Sequence, residues 1–255
     1  IRNYNNAVKD MLFTKYIVDK NVILDLASGK GQDGPRYERL KASKVVFSDN
    51  DVPALEEMKK RISKFKYNSV AIRLDLNKSY KLNFDKLFEI SGEDCYGTIV
   101  CNLAIHYFID DELRMDNFIN FINKLSTKGT RFIFTCFNGE RIYKKIGRSG
   151  WKGFSEDMLK YHISPMYALD EYATFGLPIN ARLPFSDEYQ FENLVDIPYL
   201  LNRFEKSDWK VIAHNSYISE REKYRKERKA DYEGLTEVDF EFAELYEWCV
   251  IERKK

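Results

Sequence analysis

The chain has 255 residues, 44% of them hydrophobic and 15% aromatic, enough to bury a sizeable core. Its 41 basic and 40 acidic side chains leave a formal charge of +1, which argues against a sequence-blind nucleic-acid coat but not against a local basic cleft. No apolar run reaches the roughly 18–20 residues of a membrane span, and Cys95, Cys101, Cys136 and Cys249 show neither a C-x-x-C pair nor metal-ligand spacing.

Three of these cysteines sit in apolar runs and read as reduced core residues of an intracellular protein without a metal site. The chain opens at Ile1 rather than Met and shows no signal peptide. That is the expectation for a domain cut from a longer polypeptide.

Apolar runs of strand length alternate with helical patterns. Val22–Leu26 reads as a first buried strand, after which Gly34-Pro35 opens a helix with proline in the tolerated first turn. Val45–Asp49 is a second strand, and Asp51 then caps a helix marked by Leu55, Met58, Ile62 and Phe65. Ser69–Leu74 and Thr98–Leu103 follow as strands three and four. Leu113, Phe118, Phe121, Ile122 and Leu125 mark the next helix, and Thr130–Phe137 is a fifth strand. This alternation predicts an α/β fold with a doubly wound, mostly parallel sheet covered on both faces.

From Gly147 the pattern changes. Gly147, Gly150 and Gly153 lie near Arg141, Lys144, Lys145, Arg148 and Lys152, and short aromatic segments with Pro165, Pro178, Pro184 and Pro198 follow. A lobe inserted at about 147–197 into a single domain spanning 1–255 is expected. Lys210–Tyr217 and Tyr246–Glu252 read as the last two strands. The charged stretch Glu220–Lys229 between them reads as a solvated helix or loop.

The turn after the first strand, Gly29-Lys30-Gly31-Gln32-Asp33-Gly34, is a literal G-x-G-x-x-G. Glycines there let backbone approach a ligand, and the following helix offers its amide end. Asp49 ends the next strand twenty residues beyond Gly29, placed to accept hydrogen bonds from two ribose hydroxyls. An adenosine-containing cofactor follows, though a nicotinamide dinucleotide fits the same spacing. Asp25, near the carboxyl edge of the sheet, suits a cationic methionine end, and Asp75-Leu76 offers an acceptor to an adenine amine. Both favour S-adenosylmethionine. The fourth strand runs into Asn102-Leu103-Ala104-Ile105-His106-Tyr107-Phe108, across the crevice from the glycine turn. There His106 can donate to a purine carbonyl while the rings stack on a base.

The blocks Arg2-Asn3-Tyr4-Asn5-Asn6-Ala7-Val8-Lys9, Leu24–Asp33 and Ile105-His106-Tyr107-Phe108 together resemble those of the eukaryotic and viral mRNA cap guanine-N7 methyltransferases. Phe175-Gly176, Tyr189-x-Phe191, Val195-Asp196-Ile197-Pro198 and Tyr246 follow the family order. The resemblance spans nearly the whole chain and implies a Rossmann-like class I methyltransferase fold with seven strands. It implies that Lys9, Asp25, Ala27, Gly29, Gly31, Asp49, Asn50, Asp75, Leu76, Asn102 and Tyr107 bind S-adenosylmethionine and its product S-adenosylhomocysteine, with Lys9 on the carboxylate. Asn5, Asn6, Lys30, Arg36, Arg61, His106, Tyr107 and Tyr246 would hold the cap.

Two departures stand out. Ala27 replaces a common glycine, and Tyr199 replaces the glutamate that reads the guanine edge, leaving Glu192 or Asp196 as substitutes, with Glu192 favoured over Asp196 for its reach and backbone carbonyls or water as equal alternatives. The divergence resembles the methyltransferase part of a large-DNA-virus capping enzyme, acting on 5′-capped mRNA. RNA triphosphatase and guanylyltransferase activities are then expected on the same polypeptide, in the virion or host cytoplasm, or in the nucleus if the protein is cellular.

Guanine N7 has an in-plane lone pair and no proton, so the residues above are expected to position rather than to transfer protons. Another nucleic-acid methyltransferase, a catalytically inert methyltransferase-like binding module and a nicotinamide oxidoreductase are the competing readings. The first lacks an Asn/Asp-Pro-Pro-aromatic run, and the last leaves the Asn-rich and His-Tyr blocks unexplained.

Overall fold

Strand residues alternate between two cores, and that alternation places the site. In the computed structural model, which describes residues 1–168, 171–182 and 188–255, the chain runs α1 (Arg2–Tyr16), β1 (Val22–Leu26), α2 (Gly34–Arg39), β2 (Lys44–Asp49), α3 (Val52–Ile62), β3 (Asn68–Arg73), α4 (Tyr80–Ser91) and β4 (Thr98–Asn102). After a 3-10 turn, Ile105–Tyr107, come α5 (Glu112–Lys124), β5 (Arg131–Phe137) and α6 (Gly139–Ile146). A second sheet follows as β6 (Trp151–Ser155), β7 (Met158–Pro165), β8 (Pro178–Arg182) and β9 (Tyr189–Asn193). The chain closes with α7 (Ile197–Lys206), β10 (Trp209–Ser216), α8 (Arg221–Glu227), α9 (Lys229–Glu233), α10 (Glu237–Glu244) and β11 (Tyr246–Arg253).

The larger sheet has seven strands in the order β10-β11-β5-β4-β1-β2-β3. From β5 to β3 every pair is parallel, and β11 runs antiparallel to both β5 and β10. Ile23, Val45, Phe47, Val100 and Ile133 face one layer, with Tyr4, Val8 and Leu12 of α1, Tyr37 of α2 and Met58 of α3. Their neighbours Leu24, Val46, Ile99, Cys101, Phe132 and Phe134 face the other, with Leu87 of α4, Phe118 and Phe121 of α5 and Phe204 of α7. A period of two in the strands thus loads both faces with apolar side chains.

The four antiparallel strands β6-β7-β8-β9 occupy part of the stretch where a lobe was expected; Pro184 lies outside the described residues. Their inner face, with Tyr161, Ile163, Ile179 and Ala181, joins the first core, where the Tyr161 ring stacks 4.2 Å from Phe242 of α10. The β6–β7 hairpin turns through Glu156 and Asp157, both at positive φ (47° and 64°), as a two-residue turn of the hairpin hand requires.

Three local expectations are corrected. The third helix ends at Ile62, so Phe65 lies beyond it and packs on Gly34 instead. Asp51 stands at the N-cap of α3 without a side-chain cap bond, and its own amide donates to Asp49. Leu113 is 82% exposed, on the solvent side of α5.

Candidate functional site

β1 and β4 are neighbours in the sheet although β2 and β3 intervene in the chain, so the crossovers leave in opposite directions at their carboxyl ends. A crevice opens there, the usual ligand site of such a sheet. It holds a cavity of about 490 Å3 lined by Ala27, Asp49, Asn50, Asp75, Leu76, Asn102 and Tyr107, with Leu74 and Phe108 as apolar wall and Phe191 and Asn193 arriving from β9. Seven of the residues expected to hold a cofactor therefore come together.

Lys9, Asp25, Gly29 and Gly31 stand outside the lining, for different reasons. Gly29 and Gly31 adopt φ of 54° and 67°, the left-handed region that favours glycine. The Gly29 amide donates to Asp49 Oδ2 at 2.7 Å, and the Asp51 amide donates to Asp49 Oδ1 at 2.9 Å. One carboxylate thus pins the glycine turn to the end of β2. Gly34 serves packing: a Cβ there would lie 2.4 Å from the Phe65 ring. Asp25 is 2% exposed and turned away from the cavity toward α2, where burial and the Asp33 carboxylate push its carboxyl well above the usual carboxylate range. Asp25, expected near a cationic ligand, therefore stands behind the cavity wall rather than in its lining.

Lys9 is held by Asp33, a residue the sequence reading passed over as part of the turn. Asp33 Oδ1 accepts from Lys9 Nζ at 2.8 Å and from Arg36 at 2.6 Å, and its Oδ2 accepts from Asn102 Nδ2 at 3.0 Å. Burial alone would raise the Asp33 carboxyl, but Lys9 and Arg36 outweigh it and hold the group below its ordinary value. Arg36 in turn donates to the Asn6 backbone and side-chain oxygens at 3.2 and 3.1 Å. The Asn-rich first helix, the glycine turn and the end of β4 are locked through this one carboxylate. The only advance signal was an acid beside a glycine turn with basic partners before and after it.

A second, smaller cavity of about 120 Å3 lies beyond Leu103 and is lined by His106, Cys136, Phe137, Gln190, Glu192 and Tyr246. His106 is 2% exposed, and both ring nitrogens lack a hydrogen-bond partner. Its Nδ1 lies 3.7 Å from Glu192 Oε2, too far for a hydrogen bond. Burial lowers the imidazole to about 3 and raises the Glu192 carboxyl to about 8, so both are largely neutral at pH 7. Tyr246 stacks on Phe137 with ring centroids 4.1 Å apart, a flat apolar wall. The Tyr107 ring sits 3.9 Å from that of His106 but faces the larger cavity.

Two devices divide the cavities. Leu103 lines both, at a φ of 55° that a branched side chain adopts only under constraint; its amide is held by the Thr135 carbonyl at 2.8 Å. On β9, Phe191 and Asn193 face the larger cavity while Gln190 and Glu192 face the smaller, a direct result of strand alternation.

The remaining expected cap residues lie outside both cavities. Lys30 pairs with Glu57 at 2.9 Å, the Arg61 Nε is buried without a partner, and the Asn5 side-chain oxygen is likewise unpaired. Tyr199 is corrected: Asp196 caps α7 by accepting from the Tyr199 amide at 3.0 Å and from Thr174 at 3.1 Å. This turns the Tyr199 ring toward α5, where its hydroxyl donates to Glu112 at 3.5 Å while accepting from Arg203 of its own helix at 3.2 Å. Neither Asp196 nor Tyr199 borders the small cavity, whereas Glu192 does. Among the described residues, no cluster of His, Cys, Asp or Glu could hold a metal ion, and no helix is long and apolar enough to cross a membrane.

Solved structures share this architecture at low identity. A S-adenosylmethionine-dependent methyltransferase from Clostridium acetobutylicum superposes with a TM-score of 0.61 at 12% identity, covering 100% of this chain and 92% of that one. One from Mesorhizobium loti gives 0.60 at 14%, covering 98% and 100%. These show the Rossmann-like methyltransferase fold. In sequence, the African swine fever virus mRNA-capping enzyme is 26% identical over 241 residues, 88% of this chain but 28% of that protein. The mRNA cap guanine-N(7) methyltransferase of Caenorhabditis briggsae is 28% identical over 232 residues, 84% of this chain and 60% of that protein. The chain thus spans little more than a quarter of the viral relative. A family model described as the mRNA (guanine-N(7))-methyltransferase domain matches residues 1–214, most of the length, and the chain belongs to that family.

Proposed function

We propose that this domain transfers a methyl group from S-adenosylmethionine to N7 of the 5′ cap guanine of mRNA. The observation that carries the reading is the pairing of the two cavities across Leu103, one suited to a cationic nucleoside and the other to a flat base.

The larger cavity fits the cofactor by its donor set. Its charged residues are Asp49, Asp75 and Asp110 against the single Arg114, which is itself bonded to Asp110 at 2.8 Å. Such a lining attracts a sulfonium and an ammonium and repels a pyrophosphate. The glycine-turn amide that a dinucleotide phosphate would need is already taken by Asp49, and Asp33 stands at the start of α2. Nicotinamide dinucleotides are disfavoured on both counts. Asp49 would hold the ribose, Asp75 with Leu76 the adenine, and Asn102 the amino-acid end. Bound S-adenosylmethionine supplies a methyl group already activated for transfer.

The smaller cavity would take the guanine. Its N1–H and N2 amine are adjacent donors, and Glu192, once ionised, accepts both; His106 faces the same space to donate to O6. Tyr246 and Phe137 give the base a wall to lie on. N7 needs no general base, so alignment within a dry site is the catalytic contribution. RNA triphosphatase and guanylyltransferase activities elsewhere on the same polypeptide belong to the same reading, supported by the greater length of the viral relative. The test is to incubate the domain with radiolabelled methyl donor and GpppA-capped RNA, then digest and identify the labelled nucleoside. 7-Methylguanosine is expected. Label on a ribose or another base, or none, overturns the reading.

A further inference from the structure

Strand alternation gives the small sheet an outer face of which only the Phe191–Asn193 end borders a cavity. Gly153, Tyr161, Ile163, Ile179, Ala181 and Glu192 point inward and are buried. On the other face the register aligns Lys152 with His162, His162 with Arg182, and Arg182 with Tyr189, one residue from each strand. Across three strand spacings this row runs about 14 Å. On β9, two residues beyond Tyr189, lies Phe191, 50% exposed and part of the wall of the larger cavity. The row therefore leads from open surface to the mouth of the site.

Its charge is unusual for this molecule. Arg141, Lys144 and Lys145, nearby in sequence, are tied to Glu247, Glu140 and Glu241. Lys152 and Arg182 are engaged by no acidic side chain among the described residues. His162 reports the same field: burial first, then Lys152 and Arg182, lower its imidazole. Its Nδ1 lies 2.6 Å from the Tyr189 hydroxyl, which fixes the two rings against one another. Tyr189 is 49% exposed, so an aromatic face is held out to solvent at the β9 end of the row, beside Arg182. The nearest acid along the strands among the described residues is Glu188, next to Tyr189, while Glu156 and Asp157 sit in the hairpin turn at the far end of β6 and β7.

Two cations in one row, with His162 between them and an exposed aromatic at its end, match a single-stranded polynucleotide, which offers both phosphates and bases. A four-stranded sheet presenting aromatics is a known solution to that geometry. We propose that the outer face of β6–β9 binds the first transcribed nucleotides of the RNA behind the cap, with Lys152 and Arg182 on phosphates and Tyr189 under a base. This deepens the cap-methyltransferase reading and rests on it for the direction of the strand.

The test separates the two. Binding of a fluorescein-labelled 15-nucleotide RNA is followed by anisotropy across a salt series, and KM is measured for the GpppA dinucleotide and for GpppA-capped 15-mer. In K152A/R182A, RNA affinity should fall about tenfold or more. The slope of log K against log salt should flatten by about 1.4, as for two lost contacts to single-stranded phosphates. KM for the capped 15-mer should rise while KM for GpppA stays put. Tyr189→Ala should weaken RNA binding, and Tyr189→Phe, which keeps the ring, should largely restore it. Unchanged affinity and slope in K152A/R182A, or an equal rise in KM for both substrates, would overturn the proposal. Anisotropy needs no methyl transfer, so a wild-type chain that binds RNA through this face but methylates nothing would sink the cap reading alone.

Discussion

Glu192 and His106 face each other at 3.7 Å across the small cavity, each buried and each held in its neutral form by that burial. In the proposed reading guanine would bring two donors to this space. Binding should draw the Glu192 proton off, since a carboxylate accepting two N–H groups is favoured in its ionised form. KM for GpppA should therefore improve by about tenfold between pH 6.5 and 8 in the wild type, as the carboxyl approaches its free-state value of about 8. Steady-state kinetics at saturating cofactor should show the trend flattened in Glu192→Gln, with KM raised by about tenfold at pH 8, or ~1.4 kcal/mol. A pH-independent KM in the wild type would remove Glu192 from the cap site.

The same pair shapes stability. Below its ordinary value of 6.5 but above about 3, His106 is protonated only in the unfolded chain, so stability drops as pH falls through that window. Between 4.5 and about 8, Glu192 is protonated only in the folded chain, so stability drops as pH rises. The two effects cancel from 4.5 to 6.5, giving a plateau with losses on both sides. Denaturant midpoints across pH should show it, and Glu192→Gln should abolish the alkaline loss while keeping the acid one.

Asp49→Ala should weaken S-adenosylhomocysteine binding about tenfold or more, since charge-assisted hydrogen bonds contribute about 1.5–3 kcal/mol each. Because Asp49 also pins the Gly29 and Asp51 amides, Asp49→Asn separates the roles. One remaining acceptor can keep the turn while losing part of the ribose. Calorimetry with the nucleoside, and with NAD as control, reads both.

Asp33 compensates the buried Arg36 and the partly buried Lys9. Removing one partner of such a group costs about 3–5 kcal/mol, so Asp33→Ala should lower the unfolding midpoint substantially, with Asp33→Asn intermediate. If chemical denaturation shows less than about 1 kcal/mol of loss, the cluster is not holding α1 to the glycine turn.

Tyr107→Ala should depress methyl transfer to capped RNA more than it depresses cofactor affinity. The ring lies on His106 and forms cavity wall, and a lost stack of about 1–3 kcal/mol is compounded by a misplaced acceptor. Full activity at limiting RNA would place the base elsewhere.

The central strands were legible because each is a short apolar run bounded by polar turns, and the glycine turn and Asp49 because their spacing is tied to one backbone geometry. α1 was read only as a motif, although Tyr4, Val8, Leu12 and Tyr16 recur every four residues and are all buried. Its Asn-rich first turn and uncapped start obscured the periodicity. Asp33 stayed hidden because an acid before Gly-Pro reads as a turn residue, and its partners come from 24 residues upstream and 69 downstream. Tyr199 was misplaced because register against related sequences says nothing of the direction a helix imposes three residues past its cap. Glu192 could be anticipated by reach, but only the pairing of β9 with β8 settles which side of the strand it occupies.

That strand has an evolutionary consequence. Odd positions 191 and 193 line the larger cavity and even positions 190 and 192 the smaller, so substitutions can reshape either cavity without disturbing its neighbour. Length is another matter. A single inserted or deleted residue within β9 would exchange the two sets wholesale, delivering an acid to the larger cavity and an aromatic to the smaller. Divergence along this stretch should therefore run through point changes, with gaps confined to the turns on either side.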